Sequence, residues 1–164
     1  MPLSAYLLAL RKKVGTDLLL VPAVGAIIIN DAGEVLLQRR SDTGRWAIIG
    51  GMLDPGEQPA DGIIREVLEE TGLRVLPERI SGVYLTRVFT YADGNQAQYV
   101  ATVFRCRPIS GTPHAADEES LECRYFALDA LPELSNDHRQ RIADAQKSEA
   151  AACFAPPSNL RIDK

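Results

Sequence analysis

Between residues 59 and 71 the apolar positions change their spacing. Ile63, Ile64 and Val67 fall on one stripe at helical intervals, with charged residues between them. Pro59 suits the first helical turn, Asp61 puts a negative charge near the positive end of the helix dipole, and Gly72 suits the left-handed position that ends a helix. On either side the pattern is that of strands. Residues 18–21, 24–30 and 35–39 are rich in aliphatic side chains, and a turn at 31–33 joins the last two. Residues 80–91 and 96–107 alternate, with 92–95 as a hairpin turn, and 122–128 forms a further short strand. Residues 4–13 read as a short amphipathic helix and 136–150 as a second one, while 111–120, polar and containing Pro113, reads as a loop. The expected organisation is one α/β domain over residues 1–150, a mixed sheet between helices, followed by a tail over 151–164 that ends PPSNLRIDK. No internal repeat is present.

The helix at 59–71 carries more than a packing stripe. Glu66, Glu69 and Glu70 stand at i, i+3 and i+4, which gathers three carboxylates on one side. Like charges that close resist ionisation, so the arrangement gains from a divalent cation between them. A capped amphipathic helix with a solvated acidic face is the competing reading. Gly62 lies inside the helix, where glycine costs about 1 kcal/mol relative to alanine, and close packing is one reason to tolerate it.

Around these glutamates the chain spells G-x5-E-x7-R-E-U-x-E-E-x-G-U, with U a bulky aliphatic, through Gly51, Glu57, Arg65, Glu66, Val67, Glu69, Glu70, Gly72 and Leu73. Nine fixed positions make a specific signature. The chain resembles the Nudix hydrolases, the MutT-like family. LLQRR before the box, Trp46 near Gly50 and Gly51, and YFALDALPEL after it extend the likeness. The resemblance implies a Nudix-like α/β/α sandwich with a mixed sheet. It also implies Mg²⁺-dependent hydrolysis of a pyrophosphate bond in a nucleoside diphosphate linked to another moiety. Hard oxygen ligands suit Mg²⁺, or Mn²⁺ in its place, better than zinc.

Residue roles follow from the same resemblance. Glu66, Glu69 and Glu70 are the implied metal ligands, with the carbonyl of Gly50 as an addition. Glu66 is the first candidate for general base, and Glu119, or else Glu118, the second. The alternative for residues 117–119 is a solvated loop. Arg65 can reach Glu69 along the helix, and Glu57 either joins the metal shell or braces the turn before the helix. Arg39 or Arg40 is expected to meet substrate phosphates. Trp46 either stacks on a base or caps the core. Phe89 occupies the place where ADP-ribose-preferring members often carry proline, and Tyr91 lies near where dinucleoside polyphosphate hydrolases often carry tyrosine, a packing residue of the hairpin being its alternative. Ile49 stands where related chains usually have proline before the glycine pair. Two other readings remain: a catalytically silent nucleotide-sensing module, and an RNA 5′-pyrophosphohydrolase.

Composition narrows these choices. With 18 basic and 22 acidic residues the net charge is −4, which argues against a duplex-coating surface, while a small anionic ligand such as a nucleotide can still bind through a local cluster. No run approaches the eighteen apolar residues of a membrane span, and MPLSAYLLALRKKVG lacks the features of a secretory signal. Cys106, Cys123 and Cys153 are widely spaced and expected to be reduced, so a cytoplasmic location is expected. His114 and His138 form no zinc-like pattern. Tyr6, Leu7 and Leu10 offer an apolar face, either for a homodimer or for folding back on the domain.

Overall fold

The computed structural model describes residues 5–148 and 151–155. Residue 4, the last two residues of the helix expected at 136–150, and the expected tail segment 156–164 lie outside the described residues.

Strand β1 (Leu19–Ile28) is the spine of the molecule. It pairs antiparallel with β4 (Ile49–Met52) on one side and parallel with β7 (Gln96–Ser110) on the other. β7 in turn pairs antiparallel with β5 (Arg74–Leu85), and β5 parallel with the short β9 (Cys153–Phe154), giving the order β4-β1-β7-β5-β9. β6 (Phe89–Thr90) adds to β7. A second, antiparallel sheet sets β2 (Val35–Arg40) between β3 (Trp46–Ala47) and β8 (Ser120–Phe126).

The period-two alternation of β1 explains the layers. Val24, Ala26 and Ile28 point to one face and pack with Ile63 and Val67 of α2 (Pro59–Thr71). Ala23 and Ile27 point to the other face and pack with Ile142 and Ala145 of α3 (Asn136–Gln146). Both faces of the sheet are thus covered by helices, the α/β/α sandwich expected from the sequence.

Several boundaries differ from the sequence reading. Residues 18–21 and 24–30 form one strand rather than two. Pro22 has no N–H to contribute, but its carbonyl still accepts from Leu53 N at 3.2 Å, so the ladder runs through it. The strand expected at 80–91 starts at Arg74 and ends at Leu85. Thr86 then turns its amide to Tyr99 O at 2.9 Å and its hydroxyl to Tyr99 N at 3.0 Å. α3 stops at Gln146, and within the expected tail Cys153 and Phe154 join the sheet. The N-terminal helix α1 (Ala5–Val14) folds back on its own domain. Leu7 is buried, and Arg11 donates to Asp17 O at 2.7 Å and Gln96 O at 2.5 Å.

Candidate active site

Three pieces of backbone meet where α2 crosses β4: the helix, the glycine strand and the turn between them. Gly50 lies so close to β1 that a Cβ there would collide with the carbonyl of Val24, and a Cβ on Gly51 would collide with the carboxylate of Glu66. Gly50 therefore lets β4 lie close to β1, and Gly51 lets the helix lay Glu66 directly against the strand. Gly62 is close-packed against the turn instead, where a Cβ would strike the end of the Leu53 side chain and crowd the Glu57 carboxylate. Gly72 closes the helix at φ 69°, its amide bonded to Leu68 O.

Arg65 organises the turn. Its Nε and Nη2 donate to the two oxygens of Glu57 at 2.8 and 2.9 Å, a bidentate pair, and Nη2 also reaches Met52 O at 3.2 Å. Nη1 donates to Glu66 at 2.9 Å and to Glu69 at 3.2 Å. The contact with Glu69 expected from helical spacing is present, but the fork of the guanidinium belongs to Glu57. Glu57 in turn accepts from the amide of Asp54 at 3.2 Å, which brings the turn under the same clamp. Arg65 holds the carboxyl of Glu57 below the usual range.

The three helix glutamates separate in their surroundings. Glu69 is 57% exposed at its side chain, on the rim beside Arg65. Glu66 is 6% exposed and Glu70 only 1%. Burial pushes the carboxyl of Glu66 up, against the pull of Arg65, with Glu69 and Glu119 adding repulsion. Glu70 is pushed up to about 8 by burial and by the nearby charges of Glu66, Glu119 and Asp117. Its Oε2 accepts from Nε2 of Gln38 at 2.6 Å, while its Oε1 is buried without a hydrogen-bond partner. Glu119, just before β8, is thereby drawn into the group, whereas Glu118 is exposed. Among the described residues no three acidic, histidine or cysteine groups are already closed around one point as a finished ion cage.

The other expected site residues fall in different places. Arg40 faces Glu70 and Glu119 with its charge and is held by Asp42 through two bonds of 2.9 and 2.8 Å. Arg39 donates to Gly44 O at 3.1 Å. Trp46 packs edge-on against Phe126, ring centres 4.8 Å apart, with Arg124 lying over both rings. Tyr91 is half exposed in the β6–β7 hairpin and shares a 2.5 Å hydrogen bond with the hydroxyl of Tyr99. Gln38 and Ser120 lie outside the residues that the sequence points to, and Asp117, within the acidic run 117–119, adds its charge to the group. For Gln38 the signal was present: a lone amide following Val35, Leu36 and Leu37, in a strand whose first four residues are all buried.

Fold and site together define an α/β/α enzyme built around one acidic helix. Comparison with known proteins identifies it further: residues 19–145 match the family model of the NUDIX domain. A MutT-like protein of Streptomyces ambofaciens is 36% identical over 124 residues, covering 75% of both chains. An ADP-ribose pyrophosphatase of Methanocaldococcus jannaschii is 30% identical over 124 residues, covering 74% of this chain and 70% of that one. Among solved structures, a UDP-X diphosphatase superposes with a TM-score of 0.63 at 27% identity, over 88% of this chain and 70% of its own. The MutT protein of Methanosarcina mazei Go1 gives 0.62 at 27% identity, over 77% and 92%. The chain belongs to the Nudix hydrolase family, and it shares that family's general activity on the phosphoric anhydride bonds of nucleoside diphosphate derivatives. No helix among the described residues is long and apolar enough to cross a membrane.

Proposed function

We propose that the chain is a divalent-cation-dependent pyrophosphohydrolase acting on a nucleoside diphosphate linked to a second group. The observation that carries this reading is Glu70, a carboxylate with one oxygen buried and unbonded, beside Glu66 and Glu119. Isolated, such a group is costly to bury, and hard oxygen donors of this kind fit Mg²⁺ or Mn²⁺. Glu66 and Glu70 would hold the cation, with Glu69 at the rim and the Gly50 carbonyl as a further donor, and the bound ion would neutralise phosphate charge and acidify water.

The remaining steps belong to side chains. Arg65, held by Glu57, fixes the rotamer of Glu66 and so keeps the inner carboxylate aimed at the cleft. Glu119, whose charge reaches both Glu66 and Glu70, is the acceptor assigned to the proton of the attacking water, with Glu66 as the alternative. Arg40, at the edge of the cluster, presents its charge to the substrate phosphates. The test is product analysis on a panel of nucleotide sugars, dinucleoside polyphosphates, ADP-ribose and oxidised nucleoside triphosphates, with Mg²⁺, Mn²⁺ or EDTA. Cleavage of a panel compound that EDTA abolishes is expected and would name the second group. Cation-independent cleavage, or nucleotide binding with no cleavage of any compound, would overturn the reading.

A further inference from the structure

Gln38 is the residue whose presence the fold alone does not explain. It is 1% exposed and sits on the central strand of the smaller sheet, paired across to Ala47 on one side and Cys123 on the other. An aliphatic side chain would avoid the cost of burying an amide there. Instead the amide spans two other buried groups. Its Nε2 donates to Glu70 Oε2 at 2.6 Å, and its Oε1 accepts from the hydroxyl of Ser120, also at 2.6 Å.

The direction of this chain is set by chemistry. A carboxylate that ligates a cation is ionised and only accepts, so in the cation-bound state the NH₂ end of Gln38 must face Glu70 and its carbonyl must face away. The carbonyl then needs a donor, which Ser120 supplies. With the amide reversed, its oxygen would oppose a carboxylate oxygen, so the Ser120 proton selects the useful orientation. The backbone is built for that contact. Between Arg39 and Arg40 the β2–β8 register slips by one residue: Arg39 faces Glu122 while Arg40 faces Ser120. Leu121 is the extra residue and stands 56% exposed, while Ser120 turns inward at 6%. A bulge re-aims side chains in this manner, and the same bulge sits next to Glu119.

We propose that Gln38 and Ser120 are positioning residues, a two-link relay that clamps Oε2 of Glu70 and leaves Oε1 aimed for single-oxygen ligation of a divalent cation. The inference rests on the cation-dependent reading above and adds what orients its most buried ligand. Partners that orient a ligand typically alter metal affinity about 10–100-fold when removed.

The experiment is Mn²⁺ binding to the full chain, with free ion followed by electron paramagnetic resonance, on Q38M, S120A, the double variant and E70Q. Methionine keeps the bulk of Gln38 without either amide group. Q38M is expected to weaken Mn²⁺ about tenfold, and S120A by a smaller factor. The double variant is expected to bind no more weakly than Q38M, since Ser120 acts through Gln38. Thermal melting reports separately on folding, and a merely structural role would move the melting point rather than produce this non-additive pattern. Wild-type affinity in both single variants, or strictly additive losses in the double, while E70Q loses the ion, would overturn the relay. Wild-type Mn²⁺ affinity in E70Q would overturn the underlying cation reading instead. Should Q38M fail to fold, S120A decides: unchanged affinity refutes the relay and reduced affinity upholds it.

Discussion

Glu70 and Asp144 are both carboxylates on helices packed against the larger sheet, 1% and 3% exposed, on opposite faces. Their surroundings could hardly differ more. Burial works to raise Asp144, but hydrogen bonds from Lys147 at 2.7 Å, Tyr84 at 2.8 Å and Gln140 at 3.1 Å outweigh it and hold the group below the usual range. Glu70 has one neutral donor, one unbonded oxygen and three acidic neighbours, and is pushed up to about 8. A buried acid that stabilises a fold is surrounded by donors. A buried acid kept among other acids with an oxygen unsatisfied is held there for something that the polypeptide itself does not provide.

The contrast is broken most severely by exchanging charge for amide at the site. E70Q is expected to lower turnover by about a thousandfold, roughly 4 kcal/mol of transition-state stabilisation, while E69Q, on the exposed rim, loses far less. Steady-state kinetics on whichever compound is cleaved measures both. Equal losses in the two variants would mean that the burial difference between the glutamates is irrelevant to catalysis. On the other face, D144A is expected to leave kcat/KM unchanged but to destabilise the fold by roughly 3 kcal/mol, because Tyr84, Gln140 and Lys147 all lose their acceptor. Urea denaturation with the activity assay run in parallel separates the two quantities.

The difference also has a pH signature. Glu70 titrates higher in the folded chain than when unfolded, so the cation-free protein holds more protons folded than unfolded. Its stability contribution is complete below the unfolded value near 4.5 and is lost as pH rises towards 8. His138, held down to about 4 by burial and Arg141, acts in the opposite direction, adding stability as pH climbs to 6.5 and none thereafter. Between pH 6.5 and 8, then, the chelated protein should lose roughly 2 kcal/mol. E70Q should flatten that slope. A cation that ligates Glu70 should abolish it, because ligation favours the ionised form. Melting curves across this window with EDTA or Mn²⁺ measure all three, and an unchanged slope in E70Q would assign the effect elsewhere.

Much of the site could be read from the chain because it is local. A helix of thirteen residues with proline at its start and glycine at its end declares itself, and the box spacing fixes Arg65, Glu66, Glu69 and Glu70 upon it. What could not be read depends on chain segments far apart in sequence. Helical spacing from Ile63 and Val67 puts Glu70 rather than Glu69 on the buried stripe, but the partner it meets there, Gln38 of β2, lies thirty-two residues earlier in the chain. The bidentate Arg65–Glu57 pair spans a turn, so helical spacing offered Glu69 as the partner and missed the stronger one. Strands β3 and β4, two and four residues long, are too short for periodicity to register. Residues 117–119 present three acids in a row in a segment without periodicity, so the sequence does not tell that Asp117 and Glu119 are partly buried near Glu70 while Glu118 is exposed.

The smallest effect sharpens the comparison most finely. Tyr84 donates its hydroxyl to Asp144 Oδ2 at 2.8 Å, and burial together with that acidic partner raises the phenol well above its ordinary range. Phenylalanine keeps the ring, and with it the stacking of Arg141 5.2 Å from the ring centre, but removes the one donor. Because Asp144 retains Lys147 and Gln140, Y84F should cost only about 1 kcal/mol, the net worth of one hydrogen bond. It should not disturb catalysis. The corresponding change on the other face, Q38M, removes the single donor that Glu70 has, and should instead be felt in cation affinity more than in stability. If Y84F altered cation affinity, or Q38M altered only the melting point, the two buried acids would not be doing different jobs.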